Sequence, residues 1–249
     1  MKFGVCINLA EELEKKTLNE HLEQIRSAGY DYVEANLAAL ENTSEEELAQ
    51  IQAALEKTGL SCLRANCFFP GTVRLTGPES SPEALAPYLK KILAKAEKLG
   101  VQVIVLGSGG ARRVPEGYDR KAAEEDFAAC ARAASEAAAS HHIRIALEHL
   151  NPKETNLLTT IEETVQSMQQ IQHPACGFLF DYYHVDLQTD DIRQVPAHSD
   201  RLFHVHTALP SSRLFPFPED ASTMQPFFQV LKEAGYNGTV SLEGAMREG

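Results

Sequence analysis

Residues 145–156 read Ile145-Ala146-Leu147-Glu148-His149-Leu150-Asn151-Pro152-Lys153-Glu154-Thr155-Asn156, a short apolar run that closes on a carboxylate and opens into a polar loop with a second one. The same order returns further along. Phe178-Leu179-Phe180-Asp181 is followed by His184, Phe203-His204-Val205-His206 by a loop with Arg213, and Val240-Ser241-Leu242-Glu243 by Gly244. Side chains alternate between the two faces of a β-strand. On that period one face carries Ile145, Leu147, Phe178, Phe180, Phe203, Val205, Val240 and Leu242, all bulky and apolar. The other carries Ala146, Glu148, Leu179, Asp181, His204, His206, Ser241 and Glu243, mostly small or polar, with an acid or imidazole last in each segment. Strands that all finish this way place their polar ends around one rim of a parallel barrel.

The rest of the chain repeats the strand-then-helix alternation. Strands are expected over residues 2–8, 30–35, 60–66, 101–106, 142–148, 175–181, 201–206 and 238–243. Helices are expected over 16–28, 44–58, 82–99, 119–140, 159–170 and 222–234. Gly29, Gly59, Gly100 and Gly235 serve as helix stops, and Ser44 with Glu47 forms a capping box. The connection between strands six and seven reads as short and weakly helical. After strand eight the chain has no room for a full final helix. Eight βα units in 249 residues fit one (β/α)₈ barrel, a TIM barrel with a truncated last helix, whose usual size is about 250 residues. Residues 1–249 show no linker and read as a single domain.

A formal net charge of −12 argues against nucleic acid as a partner, because phosphate neutralisation needs a basic surface. No apolar stretch is long enough to span a membrane, and Met1-Lys2-Phe3-Gly4-Val5 begins directly as a strand without a leader pattern. Five cysteines in irregular spacing read as reduced thiols, which points to the cytoplasm.

Glu148, Asp181 and Glu243 would face one another across the barrel mouth. Two like charges about 4 Å apart cost roughly 4 kcal/mol at an effective dielectric near 20, so three such carboxylates need a cation or raised pKa values. His206 adds a nitrogen, and three oxygens with one imidazole suit Mn²⁺, Mg²⁺ or Co²⁺, with Zn²⁺ a further option.

Residues 148–156, Phe180-Asp181-Tyr182-Tyr183-His184, His204-Val205-His206 and Leu242-Glu243 resemble the metal-site segments of the xylose isomerase-like barrel superfamily. More narrowly they resemble the sugar-phosphate isomerase/epimerase group that includes D-tagatose 3-epimerase and hydroxypyruvate isomerase. The resemblance implies that Glu148, Asp181, His206 and Glu243 bind a divalent metal, Mn²⁺ first among the candidates. It implies that Glu148 and Glu243 are the catalytic pair moving protons on opposite faces of a ketose or sugar phosphate through an enediolate. Glu154, His184 and Arg213 would bind substrate or support the site. The partner implied is a small carbohydrate, and the assembly a homodimer or homotetramer. The chain departs from the family in His149, which stands where proline is usual.

Other residues have two readings each. In the loop Gly107-Ser108-Gly109-Gly110-Ala111-Arg112-Arg113, Arg112 or Arg113 would bind a substrate phosphate or carboxylate, or the loop is a tight turn with exposed arginines. His204 is a second ligand or, more simply, a core histidine bonded to a neighbour. Glu34 joins the rim or is a solvated acid. Phe68, Phe69, Phe215 and Phe217 wall the pocket or form a dimer contact. Rival functions are a dehydratase of the inosose type, an endonuclease-IV-like DNA repair enzyme, and a non-catalytic binding protein.

Overall fold

The structure, a computed structural model, describes residues 1–188, 190–210 and 212–246. Strands β1 (Lys2–Ile7), β2 (Tyr32–Asn36), β3 (Ser61–Asn66), β4 (Val103–Leu106), β5 (Arg144–Glu148), β6 (Cys176–Asp181), β7 (Leu202–Thr207) and β8 (Thr239–Leu242) form a closed parallel barrel, with β1 pairing β8. Helices α1 (Leu9–Glu14), α2 (Leu18–Ser27), α3 (Glu45–Thr58), α4 (Pro82–Leu99), α5 (Arg120–Ala139), α6 (Ile161–Ile171), α7 (Tyr182–Gln188) and α8 (Ala221–Glu233) connect them. The expected (β/α)₈ architecture is the observed one. No helix among the described residues is long and apolar enough to cross a membrane. All five thiols are unpaired.

The local signals act as read. Ser44 and Glu47 cap α3 reciprocally, each accepting from the other's backbone N–H. Gly59 and Gly100 close α3 and α4 at φ of 68° and 82°, the left-handed region where a Cβ would be strained. Two segments differ from expectation. Asn8 ends β1 by capping the short helix α1, which the sequence periodicity is too brief to reveal. The β6–β7 connection holds α7 and a 3₁₀ stretch over Ile192–Arg201, interrupted at His198. Residues 243–246 after β8 are not helical, and the remainder of the expected short final segment, 247–249, lies outside the described residues.

The apolar face of each strand meets the helices. Ile145, Leu147, Phe178, Phe180, Val205 and Val240 lie in one buried cluster with Leu93, Phe127, Val165 and Phe227 of the surrounding helices. This layer fixes which way the acids point. A slip of one residue in β5 or β6 would turn Glu148 or Asp181 into that apolar layer, where an unpaired charge costs several kcal/mol.

Inside the barrel, Val103, Val105, Ala146, Leu179 and Phe203 form a second, smaller cluster. Phe203 is a correction to strict alternation. β7 carries an extra residue opposite β6, because Phe178 pairs with Leu202 and Leu179 with His204. The bulge turns the Phe203 ring inward, against the space left by Gly177 and beneath the Arg144 guanidinium at 4.3 Å. Gly4 makes comparable room for the buried Tyr32 ring, since a Cβ there would lie 2.4 Å from it. Gly4→Ala is therefore expected to destabilise the barrel by about 1–3 kcal/mol. Urea unfolding measures this; a midpoint equal to that of the unsubstituted protein would contradict the tight fit of Tyr32.

Candidate active site

Six strands deliver the site. Glu34 comes from β2, Asn66 from β3, Glu148 and Asp181 from the last positions of β5 and β6, and His204 and His206 from β7. Glu243 follows β8 directly. The ligand-type atoms of Glu148, Asp181, His184 and Glu243 all lie within 4.8 Å of one another. Nδ1 of His206 faces the same group, 3.2 Å from Glu148 Oε1, 3.5 Å from Glu243 Oε2 and 4.0 Å from Asp181 Oδ2. The four residues expected as metal ligands are thus brought together, and the crowding of like charge is real.

The protonation pattern follows from that crowding. Burial pushes Asp181 up to about 6, opposed by the charge of His206. Burial also raises Glu148, against its hydrogen bond with His206. Glu243 goes the other way: burial is outweighed by His206 and Arg213, and its carboxyl is held well below the usual range. Burial alone would lower His206, but Glu34 and Glu243 hold it protonated well above its ordinary range. Positive charge on His206 and negative charge on these carboxylates thus stabilise one another.

The individual side chains are placed by their neighbours. Asp181 Oδ1 accepts from the backbone N–H of Tyr183 at 2.8 Å and of His184 at 3.3 Å, so the strand-to-helix junction at α7 aims Asp181. The backbone N–H of Asp181 donates to His149 Nε2 at 3.3 Å, which gives a supporting role to a histidine that alternation leaves outside the site. Glu243 accepts from Asn66 Nδ2 at 2.8 Å and from Arg213 at 2.6 Å. Gly244 lets the loop bearing Arg213 lie over β8, because a Cβ there would sit 2.3 Å from the Arg213 carbonyl. Gly107 is equally confined, its Cβ position 2.1 Å from Glu148 Oε2.

His184 is buried with its Nδ1 accepting from the backbone N–H and side-chain amide of Asn151, at 3.3 and 3.0 Å. Those partners assign the imidazole proton to Nε2. That nitrogen has no hydrogen-bond partner and faces the cluster, 3.8 Å from Asp181. A buried, unpaired donor aimed at a group of carboxylates fits a site built to hold something more than protein. Together with the oxygen-rich donor set and His206, it fits a divalent cation and an oxygen ligand. Glu154 accepts from Asn151 at 2.7 Å and from Arg213 at 3.3 Å, at the edge of the same cavity. That cavity, about 200 Å³, is lined by Asn66, Phe69, the Gly107–Ala111 loop, Leu150 and these charged residues.

Arg112 is a correction. It is fully buried and donates to the carbonyls of Leu106 at 3.1 Å and Leu158 at 3.2 Å, away from the cavity. The loop turns it under itself, where those carbonyls take its two terminal nitrogens and leave Nε unpaired. Arg113 likewise donates to the Glu154 carbonyl at 2.9 Å. Glu34, expected at the rim or as a solvated acid, is instead fully buried and bridges His204 and His206. Its one signal is an acid flanked by Val33 and Ala35 within an apolar strand.

Residues 22–248 match the family described as xylose isomerase-like TIM barrel. A D-psicose 3-epimerase of Ruminiclostridium cellulolyticum is 24% identical, over 100% of this chain and 85% of that protein. An L-ribulose 3-epimerase of a Methylomonas species is 29% identical over 89% of this chain and 76% of that one. The crystal structure of a Methylomonas D-allulose 3-epimerase in complex with D-allulose superposes with a TM-score of 0.81 at 22% identity, covering 98% of this chain and 84% of that one. With barrel, strand-end site and family match in agreement, the chain belongs to the xylose isomerase-like TIM barrel family.

Proposed function

We propose that this protein is a divalent-metal-dependent epimerase or isomerase of an unphosphorylated ketose, with Glu148 and Glu243 moving the proton. The observation that carries the reading is the meeting of those two carboxylates with Asp181 in one ligand-type group, faced by Nδ1 of His206. The named sugar epimerases among its relatives support it as an enzyme acting on sugars.

Glu148, Asp181, His206 and Glu243 would hold the cation, Mn²⁺ by preference, with Mg²⁺, Co²⁺ or Zn²⁺ compatible with the donors. When bound, a divalent ion supplies Lewis acidity to a sugar carbonyl and its neighbouring hydroxyl. The side chains do the rest. The Nε2–H of His184 binds a substrate oxygen. Glu243, kept ionised by Arg213, takes the proton from the carbon beside the carbonyl. Glu148, whose burial raises its proton affinity, returns one. Return to the opposite face of that carbon gives the epimer; return to the adjacent carbon gives an aldose–ketose isomer. An environment that drives two carboxyls apart in proton affinity suits such an acid–base pair.

The absence of phosphate from the substrate follows from the cations. Arg213 is the only arginine or lysine among the described residues lining the cavity, and Glu243 and Glu154 already engage it. Arg112 and Arg113 are committed to backbone carbonyls. A phosphate dianion would enter a net negative mouth unpaired.

Replacing Glu148 or Glu243 by Gln is expected to abolish exchange of substrate hydrogen with deuterated solvent, followed by NMR on a panel of free ketoses. Undiminished exchange in both variants would sink the mechanism, and a product lighter by one water would make the enzyme a dehydratase. Gly107→Ala should displace the Glu148 carboxylate and lower kcat by about 10²-fold, since an error near 1 Å at a reacting group has roughly that effect. Metal affinity should fall as the pH is lowered. Asp181, raised to about 6, must lose its proton to bind a cation. Below its pKa the affinity therefore weakens by at least about tenfold for each unit the pH is lowered, and above it a dependence remains, because His206, whose proton affinity is raised, must also give up its Nδ1 proton. Mn²⁺ titrations followed by electron paramagnetic resonance between about pH 5 and 7 test this; a flat profile would contradict it.

A further inference from the structure

Beneath the mouth, a line of buried hydrogen bonds runs along the barrel interior. Arg64 Nε donates to Thr239 Oγ1 at 2.8 Å. Thr239 Oγ1 lies 2.8 Å from His204 Nδ1. His204 Nε2 lies 2.7 Å from Glu34 Oε2, and Glu34 Oε1 lies 2.8 Å from His206 Nε2. Ser241 Oγ, bonded to the Tyr32 hydroxyl at 2.8 Å, packs 3.2 Å from His204 Nε2. Glu34, His204 and His206 are all fully buried.

The partners settle the protons. The Arg64 guanidinium can only donate, so the Thr239 hydroxyl accepts from it, and His204 Nδ1 lies 2.8 Å from that hydroxyl and 3.0 Å from the Thr239 carbonyl. His204 directs an Nε2–H at Glu34, 2.7 Å away. An ionised Glu34 can only accept, so His206 also directs an Nε2–H at it. The His206 nitrogen left to face Glu148, Asp181 and Glu243 is Nδ1.

We infer that Glu34 is a positioning residue: supported by His204 and Thr239, its carboxylate holds the His206 ring by Nε2 and reserves Nδ1 as the nitrogen that meets the metal. The inference rests on the function proposed above and adds to it a residue outside the ligand set. Glutamate is the right length and charge for this. Glutamine at the same place has one oxygen and one N–H group for two imidazole N–H donors, so one of the two rings loses its acceptor. Loss of such an outer carboxylate generally weakens metal binding by about 10–100-fold.

The test is Glu34→Gln, read by Mn²⁺ affinity at alkaline pH, where proton competition is weak, and by imidazole ¹⁵N NMR of the Zn²⁺-loaded protein. The expected result is a Kd about 10–100-fold higher than that of the unsubstituted protein, with the His206 Nε2–H signal moved from its carboxylate-bonded position. A Kd within about threefold of the unsubstituted value overturns this inference and leaves the proposed function intact. If the unsubstituted protein takes up neither Mn²⁺ nor Zn²⁺, the proposed function falls as well. Should the variant fail to fold, the spectrum of the unsubstituted Zn²⁺-loaded protein decides: an Nε2–H on a metal-bound His206 supports the assignment, and metal on Nε2 with the proton on Nδ1 overturns it.

Discussion

Repulsion among buried carboxylates is the constraint around which this molecule is arranged. Glu148, Asp181 and Glu243 converge where their strands end, and each pair at such a distance repels by roughly 4 kcal/mol at a protein-like dielectric. The fold tolerates this because positive charge and donors are placed in turn around them. His206 stands among the oxygens, Arg213 and Asn66 hold Glu243, and the junction at α7 holds Asp181. Each contact is local, yet the partners come from opposite sides of the barrel.

The interior below explains how so polar a mouth can be rigid. Many barrels fill this space with layers of branched apolar residues. Here the apolar filling is confined to Val103, Val105, Ala146, Leu179 and Phe203, and another sector is occupied by Tyr32, Glu34, Arg64, His204 and Ser241. Such buried networks stiffen a site when every member is paired, and are costly when one is not. Nε2 of His184 is one of the buried polar atoms without a partner, and it faces the carboxylate cluster.

The loops over the mouth are held to one another by their own arginines. Two arginines follow the glycine loop in sequence, and both are spent on backbone carbonyls, which ties the β4–α5 and β5–α6 loops together. The glycines contribute space: Gly107 admits the Glu148 carboxylate and Gly109 the backbone of residue 154. On this side the cavity wall is the backbone and small side chains of the Gly107–Ala111 loop.

The chain by itself determined the barrel, because alternation is local. Ile145 and Leu147 against Ala146 and Glu148 declare both strand and facing, and Ser44, Gly59 and Gly100 mark helix ends through their own backbone chemistry. It also determined which acids end their strands together, since strand register carries Glu148, Asp181 and Glu243 to one rim. Tertiary structure alone decided the rest. The bulge that turns Phe203 inward depends on how β7 pairs with β6. The burial of Arg112 depends on a carbonyl from residue 158. Glu34 is bonded to residues 170 and 172 positions away, a distance no periodic pattern spans. Patterns along a strand reveal a side chain's face, whereas its partner across a closed barrel is set by closure.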